Sequence, residues 1–89
     1  MQERNVTIIN KLGLHARAAA KLVTLASNYS SDVDIARNDQ SVNGKSIMGV
    51  MMLAASKGTR LLIRTNGDDE QEAADQLVEL IVDKFEEDE

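Results

Sequence analysis

The stretch Val6-Thr7-Ile8-Ile9-Asn10-Lys11-Leu12-Gly13-Leu14-His15-Ala16-Arg17-Ala18-Ala19-Ala20 holds two periodicities and the break between them. Val6-Thr7-Ile8-Ile9 is β-branched throughout and predicts a strand. Asn10-Lys11-Leu12-Gly13 predicts the turn that leaves it. From Ala16 to Ser27 strong helix formers dominate, and apolar Ala19, Leu22, Val23 and Ala26 recur at helical spacing. The single histidine of the chain, His15, falls at the junction of loop and helix.

Outward from that unit the pattern keeps alternating. Asp32-Val33-Asp34-Ile35-Ala36-Arg37 alternates polar and apolar, as a half-buried strand does, and Asn38-Asp39 turns it toward a short partner, Gln40-Ser41-Val42-Asn43. Ser46 stands just before the apolar run Ile47-Met48-Gly49-Val50-Met51-Met52-Leu53, as the N-cap of a short helix would. Some of that run must face inward, and Met52 and Leu53 are the members assigned to the core. Arg60-Leu61-Leu62-Ile63-Arg64-Thr65 predicts the last strand, and a final helix is expected from near Asp69. Asp68, Asp69, Glu70 and Glu72 suit its N-terminal dipole, and Ala74, Leu77, Val78, Ile81 and Phe85 mark its buried stripe. Glu86-Glu87-Asp88-Glu89 is expected to be a solvated, frayed acidic tail, because like charges at a helix end oppose the dipole.

The order is β-α-β-β-α-β-α, an α+β chain. Residues 1–89 are too few for two cores or for covering both faces of a sheet. A single domain with a four-stranded antiparallel sheet and three helices on one face is the expected architecture.

Composition narrows the function. There is no cysteine, which excludes disulfides, thiolate metal sites and a cysteine nucleophile. No apolar run approaches spanning length, and Met1-Gln2-Glu3-Arg4 lacks a signal-peptide pattern, so a cytoplasmic protein without membrane partners is expected. The net charge of −5 argues against nucleic acid as a partner. Its distribution is uneven: residues 1–45 hold six Lys/Arg against four Asp/Glu, and residues 46–89 hold four against eleven. Gly44-Lys45-Ser46 is not a P-loop, since position 39 is aspartate where that pattern needs glycine.

The chemistry concentrates at His15. A histidine at a helix start lies beside backbone N–H groups that have no partner within the helix, at the positive end of the helix dipole. Arg17 adds a guanidinium suited by shape to phosphate oxygens. Positive charge there favours a neutral, nucleophilic ring and then stabilises an anion attached to it. His15 is thus a candidate phosphoryl acceptor, with Arg17 and the amides of Ala16 and Arg17 as the phosphate cradle. Arg17, Lys21 and Thr24 share one helix face opposite the apolar stripe, a rim that favours acidic partners. Neither a metal nor an organic cofactor is expected. No second histidine, thiol or predictably placed carboxylate joins His15.

Gly13-Leu14-His15-Ala16-Arg17, followed by Gly44-Lys45-Ser46-Ile47-Met48-Gly49-Val50-Met51, resembles the HPr family, the histidine phosphocarriers of the phosphoenolpyruvate-dependent phosphotransferase system. The likeness spans nearly the whole chain and implies an open-faced β-sandwich. It implies phosphorylation of His15 by an Enzyme I-type donor and transfer to an Enzyme IIA-type acceptor, with the protein a carrier in place of an enzyme. It also places Ile47, Met48 and Met51 beside His15 as an adaptable apolar docking patch. In some bacteria the serine matching Ser46 is phosphorylated by an HPr kinase/phosphorylase, which would set negative charge beside that patch. Many members have proline after the arginine, where this chain has Ala18. The run Met51-Met52-Leu53-Ala54-Ala55-Ser56-Lys57-Gly58-Thr59 and the acidic end are similar to the nitrogen-related branch, NPr, with sugar-transport HPr the alternative.

Two other classes fit less well. A docking-only regulatory module on the same fold would have no use for His15. An acyl or prosthetic-group carrier shows an acidic residue before its serine, where this chain has Lys45. A carrier must expose its reactive face, which favours a monomer.

Overall fold

A computed structural model describes residues 1–87. The elements are β1 (Gln2–Thr7), α1 (Ala16–Ser27), β2 (Asp32–Arg37), β3 (Gln40–Asn43), α2 (Ile47–Met52), β4 (Arg60–Asn66) and α3 (Glu70–Val82), followed by a short 3₁₀ turn, Lys84–Glu86. The strands form one antiparallel sheet in the order β1-β4-β2-β3. Val6, Val33, Ile35, Leu61 and Ile63 turn to the helical side and are buried with Ala19, Leu22 and Leu77. The opposite face carries polar side chains such as Glu3 and Arg64, cross-strand partners joined by an ion pair of 2.9 Å. This is the expected open-faced sandwich, with three helices on one side of the sheet.

One boundary and one burial assignment differ from the sequence reading. β1 runs over Gln2–Thr7, earlier than Val6–Ile9, and pairs along its whole length with β4. Its polar residues carry no strand signal, and the ladder to β4 supplies what local preference does not. Ile8, beyond the strand, is fully buried, with its N–H on Thr59 O and its carbonyl taken by Gly58 N. Met52, assigned to the core, is 66% exposed, whereas Leu53 is buried as expected.

Phe85 is buried as expected, but from outside α3, which stops at Val82. Lys84, Phe85 and Glu86 take φ of 57°, 55° and 63°, a left-handed turn of three residues with side chains. Such a conformation costs roughly 1–2 kcal/mol per residue. Full burial of one phenyl ring returns about 2–3 kcal/mol, and Lys21 Nζ adds a 2.7 Å hydrogen bond to Phe85 O. Ala73 and Ala74 complete the stripe with Leu77 and Ile81, and Val78 is half-buried.

The turn after β1 is fixed from two sides. Gly13 has φ +67°, and a Cβ there would lie 2.6 Å from Ala55 O, so only glycine fits. Leu14 is buried and its N–H donates to Ala55 O at 2.8 Å. Position 15 is thereby pinned to the segment that follows α2. Ala18 is fully buried in the first turn of α1.

Candidate functional site

His15 is the N-cap residue of α1, with extended backbone (φ −74°, ψ 178°). The first helical bond runs from Ala19 N to His15 O at 2.8 Å, which leaves the amides of Ala16, Arg17 and Ala18 ahead of it. The His15 side chain makes no cap bond to them, and the first turn holds no acidic residue. A helix start with neither a side-chain cap nor a carboxylate in its first turn keeps its positive end available to an anion. The His15 side chain is 27% exposed, open enough to be reached. Arg17 is exposed in the first turn of the same helix.

Arg17, Lys21 and Thr24 line an open groove of about 850 Å³ between α1 and α3. Its far wall brings Glu79, Leu80, Asp83 and Glu86 from α3 and the turn beyond. The basic face thus meets an acidic wall, and Lys21 is half spent on Phe85 O and lies 3.8 Å from Glu86. The charge pattern along α1 alone did not reveal that wall, because it arrives from residues sixty positions away.

α2 packs against α1 and presents Ile47, Met48 and Met51 to solvent, at 45%, 76% and 43% exposure. Met52 belongs with them. Ser46 is the N-cap of α2 and its Oγ accepts from Gly49 N at 3.1 Å, the capping role its position suggested. At the other end of α2, Arg37 donates to Leu53 O and Ala54 O at 2.7 and 2.9 Å, satisfying carbonyls at the helix end.

One partner of His15 contradicts the sequence reading. Glu87, assigned to a solvated tail, places Oε2 against His15 Nε2. Its Oε1 accepts from Asn10 Nδ2 at 3.0 Å, and the same nitrogen donates to Gly13 O at 2.8 Å. Burial pushes the Glu87 carboxyl up, but the hydrogen bonds from His15 and Asn10, with the charge of Lys21 added, leave it below the ordinary glutamate value. The acidic run alone gave no sign of this, because Phe85 and the left-handed turn are what swing Glu87 back over the site. Asp88 and Glu89, the rest of that run, lie outside the described residues.

Among the described residues no group of three or more His, Cys, Asp or Glu is placed to hold a metal ion, and no helix is long and apolar enough to cross a membrane.

Comparison with known proteins matches residues 2–83 to the family model described as PTS HPr component phosphorylation site. The chain is 58% identical over 85 residues to the phosphocarrier protein HPr of Cupriavidus necator, covering 96% of each chain. It is 40% identical over 85 residues to the phosphocarrier protein NPr of Shewanella violacea, covering 96% of this chain and 93% of that one. Its fold superposes on the crystal structure of HPr-C-His from Thermoanaerobacter tengcongensis with a TM-score of 0.96, at 46% identity and full coverage of both chains.

Proposed function

This chain belongs to the HPr family of phosphocarriers, carriers and not enzymes, and from that premise we propose that His15 is the residue that takes and gives up the phosphoryl group. The observation that supports this most is the start of α1: a partly exposed imidazole beside three main-chain amides with no side-chain cap. A ring-nitrogen lone pair attacks phosphorus while the bond from phosphorus to the donor breaks, its electron pair staying with the donor. The amides of Ala16 and Arg17 and the Arg17 guanidinium meet the phosphoryl oxygens, and onward transfer reverses the step.

An Enzyme I-type protein is the donor in this reading and an Enzyme IIA-type protein the acceptor. Ile47, Met48 and Met51 on α2 give both partners an adaptable apolar surface, and Arg17, Lys21 and Thr24 on α1 add polar and cationic contacts. A monomer leaves that surface open. A phosphate on Ser46 would stand at the start of α2 and repel an acidic partner, a regulatory role for that residue.

The nitrogen-related branch is the role we propose, on the likeness of residues 51–59 to NPr. Sugar transport is the second reading, favoured by the 58% identity to a protein named HPr. Incubation with phosphoenolpyruvate, Mg²⁺ and an Enzyme I-type donor tests the carrier chemistry, with one acid-labile phosphate expected. Label surviving His15→Ala would reject the site. Transfer rates to nitrogen-type and sugar-type IIA acceptors then separate the branches.

A further inference from the structure

Every sulfur atom of this chain lies at the surface. There is no cysteine, and the four methionines, Met1, Met48, Met51 and Met52, are between 43% and 76% exposed. The buried apolar residues are all alanine, valine, leucine, isoleucine or phenylalanine. Methionine ordinarily fills gaps in a core, so a core without one is a departure. Three of the four sulfurs stand on α2, a helix of six residues, at positions i, i+3 and i+4 of one face. Adaptable docking accounts for methionine on that face, but it does not account for a core free of sulfur.

α2 is held without those side chains. Val50 and Leu53 anchor it in the core, and Ser46 Oγ caps its first turn. Arg37 and Gln40 donate to the carbonyls of Met52, Leu53 and Ala54 at its end. Chemistry at the three sulfurs can thus change the surface and leave the core and His15 as they are. Met1 offers a comparison within the molecule. It precedes the edge strand β1, with its ammonium on Glu70, whereas α2 packs on α1 and on β3 at the other edge.

We propose that Met48, Met51 and Met52 form a reversible oxidation site for peroxide-class oxidants, and that their sulfoxides weaken docking of partner proteins. The effect on docking rests on the reading of α2 as a docking face. A thioether lone pair attacks one oxygen of hydrogen peroxide. The S–O bond forms, the O–O bond breaks, and with proton transfer the other oxygen leaves as water. Sulfur gives up two electrons and the peroxide takes them. Two thiols of a methionine sulfoxide reductase reverse the change, forming a disulfide and water. A sulfoxide is polar, and burying it under an apolar partner surface without a donor costs more than burying a thioether.

Hydrogen peroxide on the full chain, followed by catalase, carries the test, with peptide mass spectrometry locating each added oxygen. Wild type should gain one oxygen at each α2 methionine, with its melting temperature within about 4 °C of the untreated protein. In phosphoryl transfer from an Enzyme I-type donor, its KM as substrate should rise about tenfold while kcat holds. The two epimer-specific methionine sulfoxide reductases, with a thiol, should bring KM back. A triple variant, Met48→Leu with Met51→Leu and Met52→Leu, keeps Met1. Whatever KM leucine sets there should be the same before and after peroxide.

An unchanged KM in oxidised wild type would overturn the proposal. So would a rise that the reductases do not reverse, or one that the triple variant shares. Sulfurs on α2 that stay reduced while Met1 is oxidised would overturn it as well. Met48→Gln, which sets a polar amide on the same face without any oxidant, separates the two readings. An unaltered KM both there and in oxidised wild type would reject α2 as the docking face. A raised KM in Met48→Gln with none on oxidation would reject the oxidation site alone.

Discussion

The three helices of this fold begin in three different ways. At α2, Ser46 caps its own helix, with Oγ on Gly49 N at 3.1 Å. At α3, the N-cap residue Asp69 turns away from its helix and accepts from Ser30 N, Ser31 N and Ser31 Oγ, while Glu70 and Glu72 supply negative charge to the first turn. At α1, the N-cap residue is His15, with no cap bond and no acidic neighbour in the first turn. Two of these starts are completed by the chain's own side chains. The third keeps its positive end for something the chain does not supply, and in the carrier reading that is a phosphoryl group.

Converting the third kind of start into the first is the harshest test of that contrast. His15→Ser should place a capping oxygen within reach of Ala18 N, as Ser46 does for Gly49 N, and amide exchange at Ala18 should slow. Phosphoryl acceptance at this position should fall by on the order of a thousandfold or more, because no imidazole nitrogen remains. A capped α1 that still forms acid-labile phosphate would break the comparison.

Arg17→Ala leaves the helix start in place and removes one cation from it. The transfer rate should fall about 10- to 100-fold, with thermal stability held within about 0.5 kcal/mol because the side chain is exposed. Stopped-flow transfer and a melting curve on one preparation read both quantities.

At α2 the expectations reverse. Ser46→Ala should cost about 1 kcal/mol of stability by denaturant titration. Ser46→Asp keeps a capping oxygen and should keep stability, yet weaken docking to an acidic partner several-fold through added charge. Loss of stability in both variants would show that the cap geometry admits serine alone.

The smallest effect belongs to α3. Hydrogen bonds from the Ser31 hydroxyl and the Ser30 amide, with that of Ser31 added and burial opposing them, hold the Asp69 carboxyl down at about 2. A carboxylate depressed on folding stabilises the native state above its ordinary value near 4. That contribution disappears as pH falls toward 2. Asp69→Asn should therefore flatten the acid limb of the stability curve between about pH 4 and pH 2. An unchanged acid limb would mean that Asp69 does not tie α3 to the Ser30-Ser31 loop.

What could be read from sequence follows from how local each signal is. His15, Arg17 and the start of α1 were legible because strand, turn and helix preferences change within a few neighbouring residues. Ser46 as a cap was legible for the same reason. Met52 misled because a continuous apolar run has no period, so the inward members of a short helix cannot be told from the outward ones. The sequence places β1 too late, at Val6–Ile9, because Gln2 to Asn5 look like loop until β4 pairs with them. Glu87 looks like tail in the sequence because its position depends on Phe85 being buried and on three left-handed residues before it. Only the assembled fold brings residue 87 to residue 15.

A carrier of this kind depends on what happens at the start of α1 when phosphate arrives. Phosphorus-31 and nitrogen-15 spectra of the protein, recorded before and after phosphorylation by an Enzyme I-type donor, measure that directly. One phosphorus–nitrogen coupling to the His15 ring is expected, with downfield shifts of the Ala16 and Arg17 amides as they meet the phosphoryl oxygens. A phosphate coupled to no ring nitrogen, or amides at 16 and 17 that do not respond, would contradict it.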